Sequence, residues 1–222
     1  MKKLQVALLT AGLFSVGSVQ ASPISFDFFN AHETTEIQQT GSLSMFDDAL
    51  GNLTSVTLNL LGESISSTIL DNQASNGQTF SYLSQLSFFF DILGLSNNIT
   101  LPAPTFITTL ATTNGFATLA SGTQLDLGTN TEQGAYSFTF TDPMDIAAFV
   151  GAGSFTVNCN TLSSSGFTGG GGNIDTNQVT TGACGAEVIY SYNTPTTSIS
   201  EPMTLWLFGA GLFGFAAMRR FS

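Results

Sequence analysis

The stretch Leu53-Thr-Ser-Val-Thr-Leu-Asn-Leu60 alternates apolar and polar side chains over most of its length. Successive side chains of a β-strand point to opposite faces, so this period of two predicts a strand with one buried face. Residues 24–29, 135–140 and 187–192 alternate in a similar way, and the runs are bounded by Gly and Asn. Such runs are typical of half-buried antiparallel strands.

These strands predict an all-β fold. About 180 residues remain between the two chain ends, which is enough for one domain with a substantial core. We expect two antiparallel sheets packed as a jelly-roll-like sandwich over residues 22–194. The clearest helical signal is at residues 143–149, where Asp142 is predicted to cap a short turn that begins at Pro143. The glycine-rich residues 166–172 predict a flexible loop.

Residues 1–21 have the features of a secretory signal peptide. Two lysines follow Met1, residues 4–16 are mostly apolar, and small residues precede a predicted cleavage site between Ala21 and Ser22. An N-terminal membrane anchor is the alternative, although the apolar run is short for a span. The sequence therefore predicts an exported protein that signal peptidase processes.

Basic residues are confined to the two chain ends. The sequence has four Lys and Arg against fifteen Asp and Glu, and residues 22–218 contain no Lys or Arg. We expect no nucleic-acid partner, because binding nucleic acid depends on basic side chains. The acids indicate either a solvated acidic surface or a matrix protein that binds cations.

Cys159 and Cys184 are predicted to form a disulfide, because two cysteines in an exported chain favour pairing. The bond would join two strand ends and hold the glycine-rich loop between them. A metal site is the weaker interpretation, since one His and two Cys do not complete a tetrahedral ligand set. We therefore expect neither a metal nor a cofactor.

Residues with catalytic potential are few. His32 is the only histidine, so a Ser-His-Asp triad would have to use it, and no G-x-S-x-G nucleophile motif occurs. We expect a protein that is not an enzyme. A glycoside hydrolase stays open as an alternative, because it needs two acids facing one sugar site. The candidate pairs are Asp47 with Asp48, Asp142 with Asp145, and Glu33 with Glu36.

Calcium is a second open alternative. No EF-hand loop is present. Asp142-Pro-Met-Asp145 and Met45-Phe-Asp-Asp48 offer carboxylates that a site assembled across strands would use. The competing interpretation is that these acids occupy turns and helix caps.

The C-terminal segment predicts a single transmembrane helix. Residues 203–218 carry no charge and are mostly apolar. At 1.5 Å per residue they would span about 24 Å, and snorkelling side chains would extend this towards the roughly 30 Å hydrocarbon core. Arg219 and Arg220 predict a cytoplasmic end at residues 219–222. A buried core helix is less compatible with the three glycines.

The order of features in this segment resembles the PEP-CTERM sorting signal of Gram-negative bacteria. Glu201 and Pro202, in the linker of residues 195–202, match the last two residues of the Pro-Glu-Pro motif, and Ser200 stands in the first position. The short membrane segment and the terminal arginine pair follow. The resemblance implies recognition by an exosortase and removal of the tail. It also implies an inner-membrane-anchored precursor and a mature form at the cell surface or in the extracellular matrix.

The exported region resembles the choice-of-anchor E module in residues 41–60, 145–153 and 186–192. This module has no assigned activity, so the resemblance bears on location. Together these features predict a structural or adhesive protein of a biofilm or exopolysaccharide matrix. The alternative is an adhesin that binds carbohydrate or Ca²⁺, with exopolysaccharide as a ligand.

Overall fold

The computed structural model describes residues 22–97, 99–170 and 172–194. Within these ranges the chain forms ten strands, one α-helix and one 3₁₀-helix. The strands are β1 Ile24–Phe29, β2 Glu33–Thr34, β3 Gln38–Ser44, β4 Asn52–Asn72, β5 Gln78–Leu93, β6 Phe106–Thr112, β7 Ala117–Leu119, β8 Gln124–Phe140, β9 Ser154–Gly169 and β10 Ile174–Asn193. The 3₁₀-helix is Asp48–Leu50, and α1 is Pro143–Ala147.

The strands form two antiparallel sheets. Sheet 1 has the order β1-β10-β4-β8, with β2 beside β10, and sheet 2 has the order β3-β9-β5-β6, with β7 beside β5. The pairs β1/β10, β3/β9, β4/β8 and β5/β6 are nested along the chain. This is the connectivity of an eight-stranded jelly roll. The structure therefore confirms the predicted all-β fold with two antiparallel sheets.

The four stretches with alternating side chains all lie in strands. Residues 24–29 coincide with β1, and the other three lie within the long strands β4, β8 and β10. At the start of β4, Val56, Leu58 and Leu60 are fully buried, while the intervening side chains are partly exposed. Burial of one face thus follows the period that the sequence shows.

The predicted helical turn is present. Asp142 is the N-cap residue of α1, and its side chain accepts a hydrogen bond from the backbone N–H of Met144 at 2.8 Å. Pro143 occupies the first turn, where its missing N–H costs no hydrogen bond. The sequence signal was sufficient here because capping depends on neighbouring residues alone.

Two apolar clusters fill the space between the sheets. The larger contains Leu58, Phe88, Phe155 and Val188, and the smaller contains Phe80, among others. Between them, β4 turns hydroxyl side chains inward at positions 64, 66 and 68. The middle of the interior is therefore hydrogen-bonded rather than apolar, as in the 2.8 Å contact between the hydroxyls of Ser64 and Thr108.

The predicted disulfide between Cys159 and Cys184 is present, with a Cα–Cα distance of 6.4 Å. Its position differs from the expectation, because both cysteines lie inside strands. Cys159 belongs to β9 and Cys184 to β10, so the bond crosses the core from sheet 2 to sheet 1. The backbone N–H of Cys184 donates to Oε1 of the buried Gln39 at 2.9 Å. Such a bond is typical of an oxidising compartment.

The expected loop at residues 166–172 is wrong in its first half. Gly166 and Gly169 pair with Leu83 and Phe80 of β5, so β9 continues through the first glycines of the run. Strand pairing uses main-chain groups, and β5 supplies partners for them whatever the side chains are. The local composition contains no information about that neighbour.

Several predicted features lie outside the described residues. They are the signal peptide of residues 1–21, the sorting motif Glu201 and Pro202, the membrane segment of residues 203–218 and the basic pair Arg219 and Arg220. Of the predicted cleavage site, Ala21 is also outside, and Ser22 is exposed just before β1. Among the residues that the structure describes, none belongs to a helix of sufficient length and hydropathy to cross a membrane.

Candidate functional site

The carboxylate pairs proposed from the sequence occupy local structural positions. Asp47 accepts a hydrogen bond from the N–H of Ala49 at 3.0 Å and caps the 3₁₀-helix that contains Asp48. Asp142 caps α1, and Asp145 lies in its first turn. Both stretches thus fit the competing interpretation of turn and cap acids. Across the described residues, no group of three or more His, Cys, Asp and Glu side chains is arranged to hold a metal ion.

The third pair, Glu33 and Glu36, lies where the chain crosses from sheet 1 to sheet 2. Glu33 is exposed in β2. Oε1 of Glu36 accepts hydrogen bonds from both the N–H and the hydroxyl of Ser163, at 3.2 and 3.3 Å. Glu36 therefore satisfies a main-chain donor on the edge of β9 beyond the end of β3.

His32 contacts a glutamate on the outer face of sheet 1. Its Nε2 lies 2.9 Å from Oε1 of Glu63, and Oε2 of Glu63 accepts a hydrogen bond from the amide of Gln133. The hydrogen bond from Gln133, together with the weaker hydrogen bond and charge of His32, holds the pKa of Glu63 below its usual range, although burial opposes this shift. Local sequence patterns do not predict this contact, because the three residues are distant along the chain.

A slot lies between the two sheets along one side of the sandwich. On this side β3 pairs with β9 only up to Asn160, and β2 pairs with β10 only at residues 181–182. From there to the β9–β10 connection, no described strand pairs with the free edge of either strand. Residues 35–37, where the chain passes from sheet 1 to sheet 2, close one end of the slot. There the N–H of Thr35 donates to the carbonyl of Thr180 at 3.1 Å.

Hydroxyl groups dominate the lining of the slot, which has a volume of about 510 Å³. None of the residues that line it has a charged side chain. They are Thr34, Thr35, Tyr82, Ser84, Ser163, Ser164, Ser165, Thr176, Gln178, Val179 and Thr180. The slot therefore presents groups that both donate and accept hydrogen bonds.

A chain of hydrogen bonds orders the inner wall. The hydroxyl of Tyr82 donates to Oε1 of Gln178 at 2.9 Å, and Nε2 of Gln178 donates to the hydroxyl of Thr180 at 3.0 Å. That hydroxyl in turn donates to Oγ of Ser66 at 3.2 Å. Tyr82, Thr180 and Ser66 are buried, so their orientations are fixed by packing as well as by hydrogen bonds.

Sequence reasoning missed this site. The only local signal was a run of hydroxyl residues at positions 163–165, together with Thr176 and Gln178 on the inward side of β10. In a chain rich in Ser and Thr such positions do not stand out. The site exists because β9 and β10 belong to different sheets and face each other across the open side.

The sequence has no match among protein-family models or curated proteins. Among solved structures it has low similarity to a chain of the infectious bursal disease virus Gx strain, with 8% identity, a TM-score of 0.24 and coverage of 80% of this chain and 38% of that one. A second is VP1 of Trichodysplasia spinulosa-associated polyomavirus in complex with 6'-sialyllactose, with 8% identity, a TM-score of 0.22 and coverage of 78% and 96%. The chain thus spans about two fifths of the length of the bursal virus protein. TM-scores of this size assign neither function nor ligand to this chain.

Proposed function

We propose that this protein is an exported adhesive protein of the cell surface or extracellular matrix that binds neutral polysaccharide through the slot. The observation that carries the proposal is the hydroxyl-rich, uncharged lining of a cleft of about 510 Å³. This volume lies within the range of about 300–1,000 Å³ that is usual for ligand pockets. Sugar hydroxyls also both donate and accept, so they match groups such as those of Ser84 and Gln178.

The charge of the region favours a neutral ligand over an anionic one. No Lys or Arg occurs in residues 22–194, whereas fourteen of the fifteen acids (all but Glu201) lie there. An anionic polymer would be repelled by the negative charge of this region, because no Lys or Arg is present there to pair with it. Glu36, which holds the backbone of Ser163, is a carboxylate beside the slot rather than part of its lining.

The buried disulfide supports an extracellular location. It joins the two sheets through the core, and bonds of this kind persist in oxidising compartments. We further propose that exosortase recognises Glu201 and Pro202, that the segment of residues 203–218 anchors the precursor in the inner membrane, and that the mature form works outside a Gram-negative cell. The resemblance to sorted proteins supports this part of the proposal.

Calorimetry with neutral tetrasaccharides of glucose, galactose and mannose tests the slot. We expect at least one of them to bind, and we expect Gln178→Leu to weaken that binding at least about tenfold, since a lost hydrogen bond in a desolvated site has an effect of this order. Ser165→Ala, at an exposed position of the lining, should weaken it less.

The matched control is Thr57→Val, which removes a hydroxyl from the outer face of sheet 1. Its hydroxyl lies 2.8 Å from that of Thr139 and far from the slot lining, so the affinity should not change. Thermal unfolding of each variant establishes that it is folded. Lack of binding across the whole panel, or equal affinity of the wild type and folded Gln178→Leu, would refute the function of the slot.

A further inference from the structure

A second concavity lies on the outer face of sheet 1, away from the slot. Across neighbouring strands, Phe29 pairs with Gly185, Gly185 with Leu61, and Leu61 with Ala135. Phe29, Leu61 and Ala135 line an opening of about 200 Å³, and we call these three side chains the apolar platform. Phe29 is 51% exposed, so one side of its ring is free to meet a ligand.

The absence of a side chain at Gly185 lets Phe29 approach β10 closely. A Cβ atom at this position would lie 2.3 Å from Cδ2 of Phe29, a distance that no side chain tolerates. The ring of Phe29 therefore lies directly against the backbone of β10. An exposed aromatic ring supported in this way is preorganised, because little side-chain freedom is left to lose on binding.

Carboxylates border the platform on both sides. Glu63 lies two residues after Leu61 on β4, beside Gln133, and its side chain is 21% exposed. On the other side, Asp27 and Glu187 pair directly across β1 and β10, two residues from Phe29 and Gly185 respectively. The face thus combines an aromatic ring with negative charge on two sides.

Glu63 is positioned rather than free. The amide of Gln133 donates to its Oε2, and Nε2 of His32 lies 2.9 Å from its Oε1. Each carboxylate oxygen can accept a further hydrogen bond, so the partly exposed side chain keeps the capacity to bind a donor. No Lys or Arg in residues 22–194 competes for that capacity.

We propose that the apolar platform and Glu63 form a second glycan subsite, specific for an amino sugar with a free ammonium group. The sugar ring packs on Phe29, and the ammonium group donates to the carboxylate of Glu63. A cation near an aromatic face gains additional electrostatic attraction, and the surrounding acids raise its local concentration. This site is independent of the slot and takes a charged ligand where the slot takes a neutral one.

Calorimetry with a tetramer of glucosamine and its fully N-acetylated form tests the proposal at mildly acidic pH. Acetylation removes the charge and leaves the ring, so we expect the free amine to bind at least about tenfold more tightly. Glu63→Gln should remove most of that preference, and added salt should weaken binding of the free amine. Phe29→Ala leaves every charge of the protein in place, and it should still weaken binding of the glucosamine tetramer.

Two controls separate this site from general acidity and from the slot. Asp175→Asn makes the same change of charge at the start of β10, far along the strand from Gly185, where Asp175 pairs with Asp71, and should leave the affinity unchanged. Gln178→Leu should also leave it unchanged, so failure of the slot proposal does not affect this test. Equal binding of both tetramers, or equal weakening by Asp175→Asn and Glu63→Gln, would overturn the proposal. Equally tight binding of tetralysine would show that the sugar ring is not recognised and would overturn the assignment to an amino sugar.

Discussion

Gly62 and Gly134 pair across β4 and β8, and both lie on the face of sheet 1 that is turned towards the core between the sheets. The rings of Phe88 and Phe106 fill the space that a side chain would occupy there. A Cβ atom on Gly62 would lie 2.6 Å from Phe88, and one on Gly134 would lie 2.4 Å from Phe106. These glycines therefore determine how closely the aromatic residues of sheet 2 approach sheet 1.

We predict that Gly62→Ala lowers the free energy of unfolding by about 1–3 kcal/mol, the usual cost of overpacking a core. Gly166→Ala is the matched control, because a Cβ atom there has no atom within 4 Å and the position lies in a strand. It should be neutral or slightly stabilising. Urea unfolding of both variants checks the difference. Equal stability of the two would mean that Phe88 and Phe106 do not constrain Gly62.

At the scale of elements, the sequence located the strands but not their lengths. The alternating stretch of residues 53–60 is only the first part of β4, which runs from Asn52 to Asn72. Beyond it the pattern inverts, because Ser64, Ser66 and Thr68 face inward while Leu61 and Ile65 are partly exposed. Periodicity finds a strand by assuming that the apolar side is buried. It fails where the interior is polar, and that is the part of the interior next to the slot.

The disulfide cross-links β9 to β10, and hence the two sheets, in addition to the backbone connection between these strands. Its cysteines are separated by 25 positions, and a loop of this size corresponds to about 3 kcal/mol of stabilisation through the unfolded chain. We predict that replacing both Cys159 and Cys184 by Ala lowers the free energy of unfolding by about this amount. Urea unfolding of the oxidised wild type, the reduced wild type and the double variant provides the measurement. The last two should agree, and a double variant as stable as the oxidised protein would contradict the prediction.

For the whole molecule, the nested strand pairs bring distant segments together and leave one side of the sandwich partly uncovered. On the opposite side Nδ2 of Asn130 in β8 donates to the carbonyl of Thr109 in β6 at 2.7 Å, so there the sheets are bridged. On the slot side, β1 and β3 pair with only part of β10 and β9. The slot is thus a consequence of unequal strand lengths within the jelly roll.

Export and sorting also belong to the scale of the whole chain. We predict that intact-mass analysis of surface and medium fractions finds a protein that begins at Ser22, carries the disulfide and lacks the tail beyond the Glu201-Pro202 region. The charge map provides an internal check, because trypsin should find no Lys or Arg in that product. A mature protein that retains Arg219 and Arg220 would contradict processing of the tail.

The sequence by itself determined the features that depend on neighbours along the chain. These are the alternating strands, the Asp142 cap, the pairing of the only two cysteines and the absence of basic residues from the central region. Only the tertiary structure decided which strands face each other, and with that the position of the disulfide, the slot between β9 and β10 and the placement of Phe29 and Glu63 around one opening. The physical reason is that side-chain periodicity reports one strand at a time, whereas a site between strands depends on pairings of residues that are far apart in sequence.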